Sequence, residues 1–347
     1  MGTSPWDPAT RTDLGDIAAA VLRWSEAAVD SPLYSFLARR IADDPAMLRV
    51  VAQIDRTPPL NLLFGGVRLA LTPDSELAAW YPVLVGDAAL TPDDALWEAF
   101  RSYVLTHADA LIEIGRTRRT QTNEAGRSAA VMPWIAEAAA RWREPVHLVD
   151  VGTSAGLNLC MDRFAHDYGT GVVQARLPAS TSLTLHCENR GGLALPHAAP
   201  AIATRTGLDL APIDASDPDQ AAWLEALVWP EHIERLDRLR KALQIRAETP
   251  VALMEGDAID LLPQLDRLLP PGPVVVMHTV MAYQLTPEQQ VALDAACLVL
   301  SRKRPTARVS MEPAGAPTHT AIRTGLTRST AQVRAKAHAH GRWIDRA

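Results

Sequence analysis

The second half of the chain repeats one pattern, a short and largely apolar run that ends in a polar residue and is followed by a helical segment. The runs lie at 146–151, 201–209, 251–257, 273–278 and 307–312. Continuous apolar runs of this length are typical of parallel strands that are buried on both faces. The repeat therefore predicts an α/β fold with a Rossmann-like, doubly wound and mostly parallel sheet.

The first part of the chain has a helical period instead. Apolar residues recur three and four positions apart, and Ser31-Pro32 supplies the cap and the first residue of a helix. Gly65-Gly66 has the composition of a turn between two helices. We therefore predict an all-helical N-terminal domain over residues 1–143, which would form a lid or substrate wall, and the Rossmann-like domain over residues 144–347.

Composition and charge exclude several classes of function. The formal net charge of -6 leaves no basic excess for a polyphosphate, so we expect no nucleic-acid partner. The N-terminus lacks a signal peptide, and no apolar stretch approaches the ~18 residues of a membrane span, so we expect a cytoplasmic protein with no membrane partner. The oligomeric state stays open.

The cysteines and the C-terminal histidines give no sign of a metal centre. The three cysteines are far apart and lack a C-x-x-C spacing, so we expect them to be buried as small apolar residues. His338 and His340 have no further ligands in the pattern around them. No metal site is predicted.

Four of the predicted strands end in a residue that can bind or catalyse: Asp150, Asp209, Asp257 and His278. The carboxyl ends of parallel strands meet at one edge of the sheet, where ligands bind at the topological switch point. The loop that follows the first strand contains two glycines before the next helix, which favours a cofactor loop. We therefore expect the ligand site at this edge.

The loop also allows two other interpretations. Gly152–Gly156 fits G-x-S-x-G, in which Ser154 would be the nucleophile of an α/β-hydrolase, with His278 or His319 downstream as the base. That fold has several strands before its nucleophile, whereas the preceding residues here are helical, so we rank a hydrolase lower. Binding of NAD is not expected, because Ser154 stands where a dinucleotide loop has its second glycine.

Three motifs resemble those of Rossmann-fold S-adenosylmethionine (SAM) methyltransferases. Asp150-x-Gly152-x-x-x-Gly156 resembles their first motif, Thr206–Pro212 the end of their second strand, and Glu255–Ala258 their third motif. The resemblance implies SAM as the cofactor, with Asp209 at the ribose hydroxyls and the third motif beside the adenine. It implies the following cofactor-binding residues: Asp150, Gly152, Ser154, Gly156, Asp209, Asp257 and Ala258.

Three further segments resemble an uncharacterised bacterial family, domain of unknown function 2332. They are Gln121–Arg127, Ser154–Arg163 and Trp223–Pro230. This resemblance covers nearly the whole chain but implies no substrate, because the family has no assigned function.

The chain departs from the methyltransferase pattern in two places. Ser154 replaces the middle glycine of the first motif, and more residues separate Gly156 from Asp209 than one helix and one strand require. The excess includes an alternating stretch with a turn signal, which predicts an inserted β-hairpin at about 176–200 that covers the pocket. If Glu188 rather than Asp209 ends the second strand, the ribose role moves to Glu188.

A polar stretch before the first strand predicts where the acceptor binds. Arg116, Arg119, Asn123 and Arg127 follow one another at spacings of three, four and four, so they would share one face of a helix. Arginines there suit a carboxylate of the substrate or of the cofactor. His278 would be the catalytic base.

Together these features predict a SAM-dependent methyltransferase that acts on a small-molecule acceptor. The alternative is a SAM-binding or nucleoside-binding module without catalysis.

Overall fold

The computed structural model describes residues 13–177, 179–315 and 318–347. The chain forms two compact units. Unit 1 comprises the described residues up to Thr122 together with Pro218–Asp237, and unit 2 comprises Asn123–Asp217 and Arg238–Ala347. The first boundary lies earlier than the predicted position 143, and a second stretch of chain belongs to the helical unit.

The helices, numbered along the chain, begin and end at defined residues. They are α1 (Leu14–Ala27), α2 (Pro32–Ala42), α3 (Pro45–Ala52), α4 (Pro59–Ala70), α5 (Pro82–Val85), α6 (Asp94–Thr106), α7 (Ala108–Thr117), α8 (Arg127–Ala140), α9 (Pro218–Ala226), α10 (Ile233–Ala247), α11 (Ala258–Leu261), α12 (Leu265–Leu268) and α13 (Pro287–Ser301). Among the described residues no strand precedes Val146, which confirms the helical character of the first part. The stretch between β6 and β7 contains two helices, α9 and α10.

The N-terminus of α2 follows the prediction. The Ser31 hydroxyl accepts a hydrogen bond from the backbone N–H of Tyr34 at 3.3 Å, and Pro32 is the first helical residue. The cap satisfies a backbone donor that has no partner within the helix. The apolar residues of α2 then join the core of unit 1.

The glycine pair of α4 contradicts the prediction of a turn. Gly65 and Gly66 lie inside the helix. A Cβ on Gly65 would lie 3.1 Å from side-chain atoms of Trp223 and Leu227, and one on Gly66 would lie 3.0 Å from Leu111. Glycine stands here because helices of unit 1 pack closely against α4, which outweighs its low helix propensity.

Unit 2 is built around a nine-stranded sheet with a small second sheet. The strands are β1 (Val146–Val151), β2 (Ala165–Asp167), β3 (Val172–Val173), β4 (Thr184–His186), β5 (Glu188–Asn189), β6 (Ile202–Asp209), β7 (Ala252–Glu255), β8 (Val274–Thr279), β9 (Thr306–Pro313), β10 (His319–Thr324), β11 (Gln332–His338) and β12 (Trp343–Arg346). The large sheet has the order β5-β12-β11-β10-β9-β8-β1-β6-β7, and the small one has the order β3-β2-β4.

The strands β7, β6, β1, β8 and β9 run parallel to one another. Every residue of β1 and of β8 is buried, as their uninterrupted apolar runs predict. From β1 the chain builds β6 and β7 on one side, and it then returns to build β8 and β9 on the other. The switch point of this α/β sheet therefore lies between the carboxyl ends of β1 and β8.

The prediction of an inserted β-hairpin at about 176–200 is wrong. The strand β4 pairs in parallel with β2 in the small sheet, whereas β5 pairs in parallel with β12 at the edge of the large one. An alternating sequence predicts strands but not their partners, and here the two neighbouring strands enter different sheets. Glu188 consequently lies at the far edge, and Asp209 ends the strand that pairs with β1.

Candidate functional site

The loop after β1 reaches the switch point with an unusual backbone. Gly152 and Gly156 have φ values of 75° and 77°, and Ser154 has a φ of 51°. A Cβ built on Gly152 would lie 2.4 Å from Cγ of Met281, so a larger residue would not fit. The segment after Gly156 is a 3₁₀ helix over Leu157–Arg163 rather than the expected amphipathic α-helix.

Asp209 fixes this loop from the end of the neighbouring strand. Its Oδ2 accepts the backbone N–H of Ser154 at 2.8 Å, and its Oδ1 accepts that of Ala211 at 2.9 Å. An ionised carboxylate has about four acceptor positions. The two hydrogen bonds therefore leave Asp209 with capacity to accept from a ligand.

Asp150 is the buried acid of the site, with 2% of its surface exposed. Its Oδ2 accepts a hydrogen bond from the Thr153 hydroxyl at 3.2 Å. Burial is the main cause that raises the pKa of Asp150 to about 7, and the charge of Asp209 adds to it, while the hydrogen bond from Thr153 and the charge of Arg127 oppose the rise. This carboxyl group can therefore take up or release a proton near neutral pH.

The polar face predicted before the first strand does not exist. The helix α7 ends at Thr117, and α8 begins only at Arg127, so the helical spacing is interrupted. Arg116 and Arg119 are exposed residues of unit 1. Asn123 and Arg127 belong to unit 2, where the structure brings both to the switch point.

Asn123 holds the loop after β1. It has a φ of 39°, its Oδ1 accepts the backbone N–H of Ala155 at 3.1 Å, and its Nδ2 donates to the Ser154 hydroxyl. Left-handed backbone is more accessible to asparagine than to most residues. Asn123 therefore fixes the position of this loop through two side-chain hydrogen bonds.

Arg127 joins three parts of the edge. Its buried guanidinium donates to the carbonyl oxygen of Thr279 at 3.2 Å and to that of Ala339 at 2.9 Å. Thr279 ends β8, and Ala339 lies in the turn between β11 and β12. The positive charge of Arg127 also reaches Asp150, since it lowers the pKa of that carboxyl group.

His278 has both ring nitrogens engaged by its neighbours. Nδ1 donates to Oε1 of Glu312 at 2.6 Å, and Nε2 accepts from Nε and Nη2 of Arg308 at 3.1 and 2.9 Å. Burial lowers the pKa of His278, although the hydrogen bond to Glu312 opposes this effect. Because a guanidinium can only donate, the ring is neutral and carries its proton on Nδ1.

Glu312 also holds the turn that follows β8. Its carboxylate accepts the backbone N–H groups of Met281, Ala282 and Tyr283 at 3.2, 3.1 and 3.3 Å. Within this turn Val280 has a φ of 53°, which is a true outlier for a β-branched residue.

Strained backbone is concentrated at this edge. Four non-glycine residues in the described ranges have a positive φ. Three of them, Asn123, Ser154 and Val280, lie around the carboxyl ends of β1 and β8. Such strain persists only where the surroundings enforce it, and it clusters at functional sites.

The geometry does not favour a hydrolase. Ser154 has a positive φ, but its hydroxyl accepts from Asn123, and Nε2 of His278 faces Arg308. His319 packs edge-on against Trp343, with 5.2 Å between the ring centroids. Neither histidine therefore serves as the base of Ser154.

Asp257 and Ala258 lie two strands away from β1, after the edge strand β7. The exposed Asp257 caps α11, since its carboxylate accepts the backbone N–H of Ile259 at 2.8 Å. The structure shows only this local role for Asp257. Contact of Asp257 and Ala258 with a cofactor stays a prediction.

The turn between β11 and β12 is an element that the sequence analysis missed. The strand β11 runs parallel to β9, so it ends at the same edge as β1 and β8. A Cβ on Gly341 would lie 2.0 Å from the carbonyl oxygen of Gly126, so the turn packs directly on the start of α8. Its signal in the sequence is the segment His338-x-His340-Gly341.

Other sequence predictions concern groups outside this edge. Cys160, Cys187 and Cys297 are free and buried, as expected. Over residues 13–177, 179–315 and 318–347 no three His, Cys, Asp or Glu side chains are grouped so that they could hold a metal ion. No helix within these ranges has the length and apolar character needed to cross a membrane.

Comparison with known proteins places the chain in a family. The model of a family described as an uncharacterized protein conserved in bacteria, DUF2332, matches residues 20–346. The chain belongs to this family. The match covers both units of this DUF2332 protein and confirms the resemblance found in the sequence. No curated protein matches the chain.

Proposed function

We propose that unit 2 of this DUF2332 protein binds SAM at the carboxyl edge of its parallel strands and transfers the methyl group to a small molecule. The observation that carries the proposal is the pair Asp150 and Asp209. They lie at the carboxyl ends of the adjacent parallel strands β1 and β6 and flank one left-handed loop at the switch point.

The residues at this edge suit an adenosyl ligand. Asp209 has remaining acceptor capacity for ribose hydroxyls, since its described bonds are to two backbone amides. Asp150 lies on the neighbouring strand and suits the positively charged ammonium group of the methionine moiety, because a nearby cation stabilises an ionised carboxylate. Gly152 and Gly156 allow the loop its left-handed turns.

Bound SAM would supply a methyl group on a positively charged sulfur, so the protein has mainly to position the acceptor and exclude water. His278 is not the proton acceptor in this proposal. Its Nε2 lone pair is directed at Arg308, and its Nδ1 proton is directed at Glu312. We assign His278 a role in holding the end of β8, while Asp150 is the group at this edge whose pKa lies near neutrality.

The engagement of His278 also favours a second candidate, a SAM-binding or nucleoside-binding module without catalysis. Both candidates use the same edge. They differ in turnover, because only an enzyme converts SAM to S-adenosylhomocysteine when it is given acceptors.

The test is calorimetry of the purified full chain with SAM, S-adenosylhomocysteine and NAD. We expect micromolar binding of the two adenosyl ligands, no binding of NAD, and at least tenfold weaker SAM binding by Asp150→Asn. Asp167→Asn, a change on β2 of the small sheet, is the control and should bind like the parent.

Two outcomes would contradict the proposal. In the first, the protein binds NAD but not SAM; in the second, it binds neither SAM nor S-adenosylhomocysteine. Release of S-adenosylhomocysteine with a panel of small carboxylate, amine and hydroxyl acceptors then separates the enzyme from the binding module.

A further inference from the structure

Unit 1 contains a cleft of its own. Its volume is about 330 Å³, which lies at the lower end of the range of about 300–1,000 Å³ that is typical of small-molecule sites. The cleft is formed by the end of α4, the 3₁₀ segment Glu76–Trp80 and the second half of α6. All the residues that line it belong to unit 1.

The floor of the cleft is apolar and belongs to the core. Leu71 and Leu77 line it, and they are 7% and 3% exposed. Both are members of the hydrophobic core of unit 1, and Ala99 of α6 also lines the cleft. Side chains packed in this way hold their positions. The cleft therefore offers a preformed surface to the apolar part of a ligand.

One wall of the cleft is a stacked pair of rings at the end of α6. The ring centroids of Tyr103 and His107 are 4.3 Å apart, with 26° between the ring planes. Nδ1 of His107 donates to the backbone carbonyl oxygen of Tyr103 at 2.8 Å, so in the neutral ring Nε2 is an acceptor. Burial raises the pKa of Tyr103. Its hydroxyl therefore stays protonated at neutral pH and can both donate and accept.

Glu76 and two hydroxyl groups form the polar side of the cleft. The exposed residues Ser102 and Thr106 are four positions apart on α6, so their side chains lie on the same face of the helix. Glu76 begins the 3₁₀ segment and is also exposed. Among the described residues that line the cleft there is no lysine or arginine. The carboxylate of Glu76 therefore favours a positively charged group over a negatively charged one.

We propose that this cleft binds a small amine, with the ammonium group at Glu76 and the apolar part on Leu71 and Leu77. An ammonium group has three donors, which suit the carboxylate and the hydroxyl oxygens of α6. The flat rings of Tyr103 and His107 bound the apolar part on one side. The inference goes beyond the adenosyl site and does not depend on it, because the cleft uses residues of unit 1 alone.

The first experiment compares three probes with the purified full chain: phenethylamine, phenethyl alcohol and hydrocinnamate. They share a phenyl ring on a two-carbon stem and carry a positive, a neutral and a negative group respectively. Saturation-transfer NMR detects binding, and calorimetry measures affinity. Because the pair with an exposed carboxylate is partly screened by water, we expect the amine to bind at least threefold more tightly than the alcohol. It should bind at least tenfold more tightly than hydrocinnamate, which is repelled.

The second experiment uses variants to locate the bound probe. Glu76→Gln removes the charge but keeps the size of the side chain, so its affinity for phenethylamine should fall at least threefold, to that for the alcohol. Tyr103→Ala removes part of the wall and should weaken binding of all three probes. Glu113→Gln is the matched control, because Glu113 is an exposed acid of α7 that does not line the cleft. It should bind like the parent, and melting temperatures verify that each variant is folded.

Four results would overturn the proposal. Equal affinity for the amine and the alcohol, or parental binding of the amine by Glu76→Gln, removes the role of Glu76. Parental binding by folded Tyr103→Ala places the probe outside the cleft. An equal loss in Glu113→Gln assigns the preference to the charge of the whole surface. Absence of binding by all three probes removes the site itself, and none of these results bears on the adenosyl site.

Discussion

Nδ1 of His278 donates a hydrogen bond of 2.6 Å to Oε1 of Glu312, which lies on the adjacent parallel strand. The contact joins the ends of β8 and β9 at the edge where the candidate site lies. On the other side of the ring, Arg308 donates to Nε2 and connects the pair to Asp294. This series of buried hydrogen bonds gives His278 a structural role at the end of its strand that does not involve proton transfer.

Two arginines that both form ion pairs with Asp294 provide a test of these contacts. Arg308 is buried and lies 2.6 Å from Asp294, whereas Arg328 is 48% exposed and lies 3.6 Å away. Removing one partner of a buried pair leaves an uncompensated charge and typically costs about 3–5 kcal/mol. We expect Arg308→Ala to lower the free energy of unfolding by that amount in urea titrations, and Arg328→Ala to lower it by less than about 1 kcal/mol. Equal losses would contradict the assignment.

The raised pKa of Asp150 predicts how stability changes with pH. The folded value is about 7, while an unfolded aspartate has a value of about 3.9. The folded state therefore binds more protons between these pH values, so this group makes the protein less stable as pH rises from about 4 to about 7.

Asp150→Asn removes this titration but keeps an oxygen that can accept from Thr153. Relative to the parent, the variant should gain stability steadily from pH 4 to 7, by a total on the order of a few kcal/mol. Urea titrations at several pH values measure this difference. A difference that does not vary with pH would show that the carboxyl group is not perturbed by burial.

Gly207 on β6 lies beside the loop at a position that has no room for a larger side chain. It pairs with Asp150, and a Cβ there would lie 2.4 Å from Cγ2 of Thr153 and 2.8 Å from Leu253. Overpacking of this kind costs about 1–3 kcal/mol, so Gly207→Ala should melt at a lower temperature. Gly171→Ala is the matched control, because no atom lies within 4 Å of its Cβ position, and it should change stability by less than about 0.5 kcal/mol.

Asn123 and Ser154 share a hydrogen bond but should differ in importance. Asn123→Ala leaves the backbone N–H of Ala155 without its side-chain acceptor and places alanine at a positive φ. We expect a loss of about 2–4 kcal/mol, from an unsatisfied donor together with backbone strain. Ser154→Ala removes a hydroxyl and should cost about 1 kcal/mol. Denaturant titration compares the two, and a larger loss from Ser154→Ala would contradict the role given to Asn123.

Parts of the site could be predicted because they depend on strand ends. Asp150 and Asp209 were found from their place after buried apolar runs, since parallel strands must end at one edge. Arg127 does lie at this edge, but the sequence argument for it was wrong. That argument assumed a continuous helical face, whereas the helix ends at Thr117. Glu312 ended a recognised strand, yet its contacts with the turn 280–283 had no signal in the local sequence.

The sequence by itself determined where most of the helices and buried strands lie and that a loop with two glycines follows β1, because apolar periodicity and caps act over a few residues. It determined the helical character of the described residues before β1, and the buried parallel strands, for the same reason. Only the tertiary structure decided which strands pair, since β4 and β5 have similar local patterns but enter different sheets. It also decided that Gly65-Gly66 lies within a helix and that Met281 packs against Gly152. Both follow from close packing between segments that are distant in the chain, which no local pattern encodes.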